Sequence, residues 1–139
     1  MNNITFSDTK NIDLDILQHL FLSVEWESGN YPKKLAKAIS NFSTVYSAWD
    51  GDSLVGLICA FDDQNLNAYI QYLLVEPNYQ GHGIGSKLME LLMEKYSDFN
   101  NISLLSYKNT VKFYETLGFE RDDDAIALSC YRFTTNPRI

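Results

Sequence analysis

The chain has little that could staple it, anchor it or give it a positive field. Its 139 residues include two cysteines and three prolines. Cys59 and Cys130 lie far apart, flanked by apolar neighbours, without the CxxC or Cys/His spacing of a metal or redox site. We therefore read both as reduced thiols on strand positions and expect no metal. Uninterrupted apolar runs reach only a few residues, against about 20 needed to cross a bilayer. Residues 1–10 lack the basic start and apolar run of an export signal. These absences predict a cytoplasmic protein with no membrane partner. Cations are also scarce: 11 Lys and Arg face 18 Asp and Glu, a formal charge of −7. Duplex affinity comes largely from cations that neutralise phosphates, so a nucleic-acid partner is excluded and cationic ligands are favoured over anionic ones. His19 stands among Leu17, Leu20 and Phe21 at helical spacing and reads as a helix-face residue.

What is present is ordinary globular material, with 45% hydrophobic and 21% charged residues. That length suits one domain, which buries roughly 68% of its unfolded surface. We assign residues 1–133 to the domain and 134–139 to a frayed tail. Ile4 to Phe6 suit a short strand. Leu14, Leu17, Leu20, Phe21 and Val24 then recur at helical spacing behind the possible caps Asn11 and Asp13. Gly29 and Asn30 interrupt, and Pro32 opens a second helix with Leu35, Ala38, Ile39 and Phe42 on its buried stripe. Residues 44–49 and 53–61 flank Asp50-Gly51-Asp52, a hairpin signal. Residues 68–75 read as a further strand that Pro77 ends. A third helix runs from 84 to about Tyr96, a strand from 102 to 107, and a short helix from Asn109 or Thr110 to Gly118. Residues 119–121 and 127–133 close as a last hairpin. The order β-α-α-β-β-β-α-β-α-β-β predicts an α+β mixed, mostly antiparallel sheet flanked by four helices, with one parallel step across the third helix.

The most informative segment is Gln80-Gly81-His82-Gly83-Ile84-Gly85, which joins a strand to a helix through three glycines at alternate positions. Glycines permit left-handed dihedrals and remove Cβ atoms, so several amides can converge on one anion at a helix N-terminus. An acidic protein needs such a local cradle to hold a polyanion. Neither the P-loop spacing nor the dinucleotide GxGxxG is present. The segment does match the (Arg/Gln)-x-x-Gly-x-(Gly/Ala) signature of the GNAT acetyltransferase superfamily through Gln80, Gly83 and Gly85. Downstream, Asn109, Phe113, Tyr114, Gly118 and Phe119 resemble that superfamily's Asn followed by Phe-Tyr-x-x-x-Gly-Phe.

The resemblance implies a GNAT-like fold and acetyl-CoA as co-substrate. It places backbone groups of Leu73, Leu74 and Val75 along the pantetheine arm. It places the amides of Gln80, Gly81, His82, Gly83, Ile84, Gly85 and Ser86 on the pyrophosphate, with Asn109 and Phe113 beside the cofactor. Lys87 and Lys112 read as solvated surface charges that could also approach outer phosphates. Tyr114 falls where the family usually has its general acid; a tyrosine near pKa 10 donating to a thiolate near 8.5 is uphill by roughly 2 kcal/mol. Freeing an alkylamine of its proton at neutral pH costs about 4.6 kcal/mol, so a base is needed. Glu25, beside Trp26 in the acceptor-covering region, is the candidate; as an acid near a helix end it is also an ordinary solvated charge. Trp26, Tyr31 and Tyr131 are the expected substrate wall, and a homodimer is allowed by exposed aromatics. The leading expectation is N-acetylation of a small primary amine by direct attack in a ternary complex. The alternatives are a protein lysine or N-terminal acetyltransferase, or a non-catalytic CoA-binding sensor. Covalent catalysis through either cysteine is disfavoured, since neither has a neighbouring His or Lys to lower its pKa.

Overall fold

A computed structural model describes residues 3–132. Five strands form one sheet in chain order: β1 (Ile4–Ser7), β2 (Thr44–Asp50), β3 (Ser53–Asp62), β4 (Asn67–Val75) and β5 (Asn101–Leu104). The first three pairings are antiparallel, and β4 pairs with β5 in parallel. The parallel step follows from the connection, because α3 (Ile84–Lys95) must carry the chain back along the sheet before β5 can start. Helices α1 (Leu14–Ser23) and α2 (Pro32–Asn41) precede β2, and α4 (Val111–Thr116) follows β5. The predicted α+β class, four helices and mixed sheet are all present.

The two faces of the sheet carry separate cores. Leu17, Leu20 and Phe21 of α1 and Leu35 and Ile39 of α2 pack with Val45, Leu57 and Leu74 on one face. On the other, Ile84, Leu88, Met89 and Leu92 of α3 pack with Val55, Ile58 and Ile70, and Tyr114 of α4 leans on that cluster. The apolar stripes at i, i+3, i+4 and i+7 decide which side of each helix turns inward. Ala38, expected on the buried stripe of α2, is exposed instead. At the far end of α3, buried Tyr96 donates to Asp62 Oδ2 at 2.7 Å while Thr44 Oγ1 donates to the Tyr96 hydroxyl at 2.7 Å.

Two boundaries differ from the sequence reading. The strand expected over 102–107 stops at Leu104, and Leu105 and Tyr107 are exposed. The last hairpin is absent among the described residues: 119–132 carry no strand, and Phe133 and the tail 134–139 lie outside the described residues. Strand composition there is sound, yet a strand needs an edge to pair with and a face to bury. Ile126 and Leu128 remain 84% and 92% exposed, so neither requirement is met among the described residues. Cys130, expected as a core strand residue, is likewise exposed.

Candidate active site

The site starts from a fault in β4. Its register against β3 slips between Tyr72↔Cys59 and Ile70↔Ala60, so Gln71 is an extra, bulged residue. Side chains alternate along a strand, and one added residue reverses the alternation. Accordingly Ala68 and Ile70 face the α3 core, and beyond the bulge Leu73 and Val75 face it, leaving Tyr72 and Leu74 for the α1–α2 core. β5 pairs only with residues 67–70 and ends where the bulge begins. β4 therefore continues through 71–75 with β3 on one side and no strand on the other among the described residues. That free edge holds Leu73, Leu74 and Val75 and can take an extended ligand, although Val75 O already accepts from Gln80 Nε2.

Past Val75 the chain makes a 3-10 turn over Pro77–Tyr79 and reaches the glycines. Three bonds tie this loop down. The Glu76 amide donates to Val55 O at 2.8 Å, the Tyr79 hydroxyl to Asp50 Oδ2 at 2.5 Å, and Gln80 Nε2 to Val75 O at 2.9 Å. The Gln80 side chain thus clamps the loop onto the end of β4, while His82 Nδ1 lies 2.9 Å from Gln80 O. Gly81 and Gly83 have φ of +79° and +84°, and a Cβ built on either would meet nothing within 4 Å. They shape an open concavity. Gly83 caps α3 with no side-chain bond and no acid follows in the first turn, so the amides of Ile84, Gly85 and Ser86 face it unpaired within the helix. An uncapped helix start lined by bare backbone fits a diphosphate. Lys87 forms an exposed pair with Glu90 at 3.6 Å, and Lys112 is exposed.

The second motif folds onto the first. Asn109 lies exposed in the 3-10 turn Lys108–Thr110 that leads into α4. Phe113 reaches Gly85: its Cζ would be 3.6 Å from a Cβ there, and Val75 Cγ2 3.7 Å. Helix α4 ends in a Schellman closure, with Gly118 N bonded to Glu115 O and Phe119 N to Tyr114 O, both at 3.1 Å. Gly118 has φ +96°, the left-handed turn that closure needs. The accompanying apolar contact is Phe119 against Tyr114, ring centroids 6.1 Å apart. Gly-Phe at the end of the motif therefore fixes the tyrosine. Tyr114 is half-buried, and that burial raises its pKa above the usual 10.

On the opposite face, a cavity of about 440 Å³ opens between the start of α2, β4 and the C-terminal segment. Its lining includes Ser28, Tyr31, Lys34, Tyr72, Tyr131 and Arg132, with Cys130 beside them. Tyr72 OH and Ser28 Oγ are hydrogen-bonded at 3.0 Å. Tyr31 and Tyr131, expected from the sequence as part of a substrate wall, both line this cavity. Trp26 is not in the lining: it packs behind it, 5.8 Å from the Tyr72 ring and 6.0 Å from Phe21. Glu25 does not line the cavity either. It is the left-handed residue (φ +60°) of a Schellman closure on α1, with its amide on Leu22 O and that of Trp26 on Phe21 O. Sequence reasoning missed Ser28, Lys34, Tyr72 and Arg132, since they are scattered along the chain and only folding collects them.

The profile of the GNAT acetyltransferase family matches residues 11–119. The chain belongs to this family. It is 34% identical over 139 residues to a soybean protein named histone acetyltransferase TAP1, covering 91% of this chain and 60% of that one. It is 30% identical over 128 residues to rice serotonin N-acetyltransferase 2, chloroplastic, covering 87% and 64%. The chain thus spans less than two thirds of the length of either relative. A GNAT family acetyltransferase from Streptococcus pneumoniae TIGR4 superposes with a TM-score of 0.78 at 29% identity, covering 96% of this chain and 99% of that one. In GNAT terms, the Gly/Ala choice at the last motif position has a local cause here. Gly85 has space for a Cβ and no left-handed dihedral, whereas Gly83 has the dihedral.

Proposed function

We propose that this GNAT chain transfers an acetyl group from acetyl-CoA to a small primary amine by direct attack within a ternary complex. The observation that carries the reading is the meeting at Gly85 of the end of β4, the glycine cradle and the Phe113 ring of α4. The amides of 81–86 would hold the diphosphate, since that of Gln80, expected among them, already donates to Pro77 O at 3.3 Å, and Leu73 to Val75 would pair with the pantetheine arm along the free edge. Asn109 and Phe113 would flank it. Bound acetyl-CoA would supply the activated acyl group. Tyr114, kept protonated by burial, is the donor for the departing thiolate. Between Tyr72, facing the cavity, and Val75, facing α3, β4 advances about 10 Å, so donor and acceptor approach from opposite faces through the gap beside β4.

Glu25 serves as base, through water, since it stands outside the lining. The left-handed dihedral of Glu25 belongs to the closure of α1, and the reading of Glu25 as base rests on its place next to Trp26, which packs behind the Tyr72 wall. The rice relative's name supports a small amine, and the soybean relative's name supports a protein acceptor. A cavity of about 440 Å³ falls in the range of small-molecule sites, roughly 300–1,000 Å³, which favours the first. Thiol-release assays with an amine panel and with lysine peptides test this. Turnover of peptides with none of small amines would move the assignment to a protein substrate, and tight CoA binding without any turnover would make the chain a sensor.

A further inference from the structure

The cavity disagrees in sign with the protein around it. The chain carries 18 acids to 11 Lys and Arg, yet the described residues that line the cavity include Lys34 and Arg132 and no carboxylate. Lys34 sits with its ammonium 5.9 Å from the Tyr31 ring centroid, a cation–π contact that keeps the charge at the cavity. Neither cation makes an ion pair among the described residues, whereas Lys87 and Arg121 pair with Glu90 and Glu115. Two cations without an ion-pair partner among the described residues, at a cavity with aromatic walls, suit a ligand feature that a plain amine lacks. They neutralise an anion on the ligand.

We propose that the acceptor is an amine that also bears an anionic group, a carboxylate or phosphate, held by Lys34 and Arg132. This rests on the acetyl-transfer reading and narrows its substrate class. The tyrosines Tyr31, Tyr72 and Tyr131 cover the apolar body of the ligand, and Ser28 and Tyr72 offer hydroxyls to its polar end. The overall acidity of the chain repels such a ligand only weakly at a distance, because salt screens charges beyond about 8 Å.

The test compares amines with and without an anionic group: tyramine O-phosphate with tyramine, and 6-aminohexanoate with hexylamine. Thiol release by the full chain gives kcat/KM for each, and calorimetry on the CoA-loaded protein gives affinity independently of turnover. The anionic member is expected to win by about tenfold, the effect of two partly exposed charge pairs. The ratio should fall toward one in the Lys34→Gln/Arg132→Gln double variant and at high salt. CoA affinity and circular dichroism report that the variant is folded. Equal or reversed preference in the wild type, or an unchanged ratio in the double variant, overturns the proposal. If no amine turns over while CoA binds, the acetyl-transfer reading fails and the calorimetric ratio decides this one. A charge preference confined to acidic peptides, with none among the small amines, assigns the cations to a protein acceptor and also overturns it.

Discussion

The Phe113 ring rests against Gly85, with its Cζ 3.6 Å from the point where a Cβ would stand. Residues 28 positions apart in sequence thereby share one contact, and the two family motifs act as a single unit. Enough room remains for one methyl group. Gly85→Ala should therefore be tolerated, with CoA affinity near wild type and stability raised by about 0.5–1 kcal/mol from helix propensity. Gly83→Ala should do the opposite, because an L-residue at φ +84° costs about 1–2 kcal/mol. Melting temperature and CoA titration on the two variants check this. Equal damage from both would contradict the geometry.

Tyr114→Phe removes the proposed proton donor but keeps the ring that packs on Phe113 and Phe119. Turnover should drop by about 10²–10⁴ with CoA affinity unchanged. Burial stabilises the neutral phenol, so its pKa lies above 10 and the wild type should keep its acid form across neutral pH. Any loss of kcat from Tyr114 ionisation belongs on the alkaline side, above pH 10. A limb assigned to Tyr114 below pH 9 would run against the sign of that shift.

Glu25→Gly separates strain from catalysis. Relief of a left-handed glutamate gains about 1–2 kcal/mol, and glycine returns about 0.4–1 kcal/mol through the unfolded chain. We expect a net gain near 0.5–1 kcal/mol in denaturant unfolding, accompanied by a fall in kcat at neutral pH. More stability with undiminished kcat would remove Glu25 from the mechanism.

The two thiols should differ in reactivity. Cys59 is buried in β3, and desolvation pushes its pKa far above the ordinary range; Cys130 is exposed at the cavity. A maleimide should label the native chain at Cys130 alone and both cysteines in denaturant, as read by mass spectrometry. An adduct at Cys130 should slow acetylation of amines while leaving CoA affinity unchanged.

Local signals made most of the fold legible. The stripes of α1 and α3, Pro32 at the start of α2 and Asp50-Gly51 between β2 and β3 mark those elements in the sequence itself. The cradle was legible too, since alternate glycines before a helix restrict what the backbone can do. The bulge at Gln71 was not, because a strand pattern that reverses parity still reads as apolar and β-prone on either side. The last hairpin is absent among the described residues for the converse reason: residues 127–133 have strand composition, but pairing depends on an edge that composition does not describe. Lys34 and Arg132 come together only when α2 and the C-terminal segment close over Tyr72.

The bulge at Gln71 also has a meaning for how this chain can vary. Loss of that single position would leave the faces of β4 as they are, because Ile70 and Tyr72 already pair with the successive residues Ala60 and Cys59; it would remove only the irregularity at which β5 stops pairing. Point changes at the exposed Gln71 side chain should pass almost unnoticed, whereas its deletion should straighten β4, let β5 pair further along it and cost CoA affinity at the edge while both cores keep their packing. At this place in the chain, count matters more than identity.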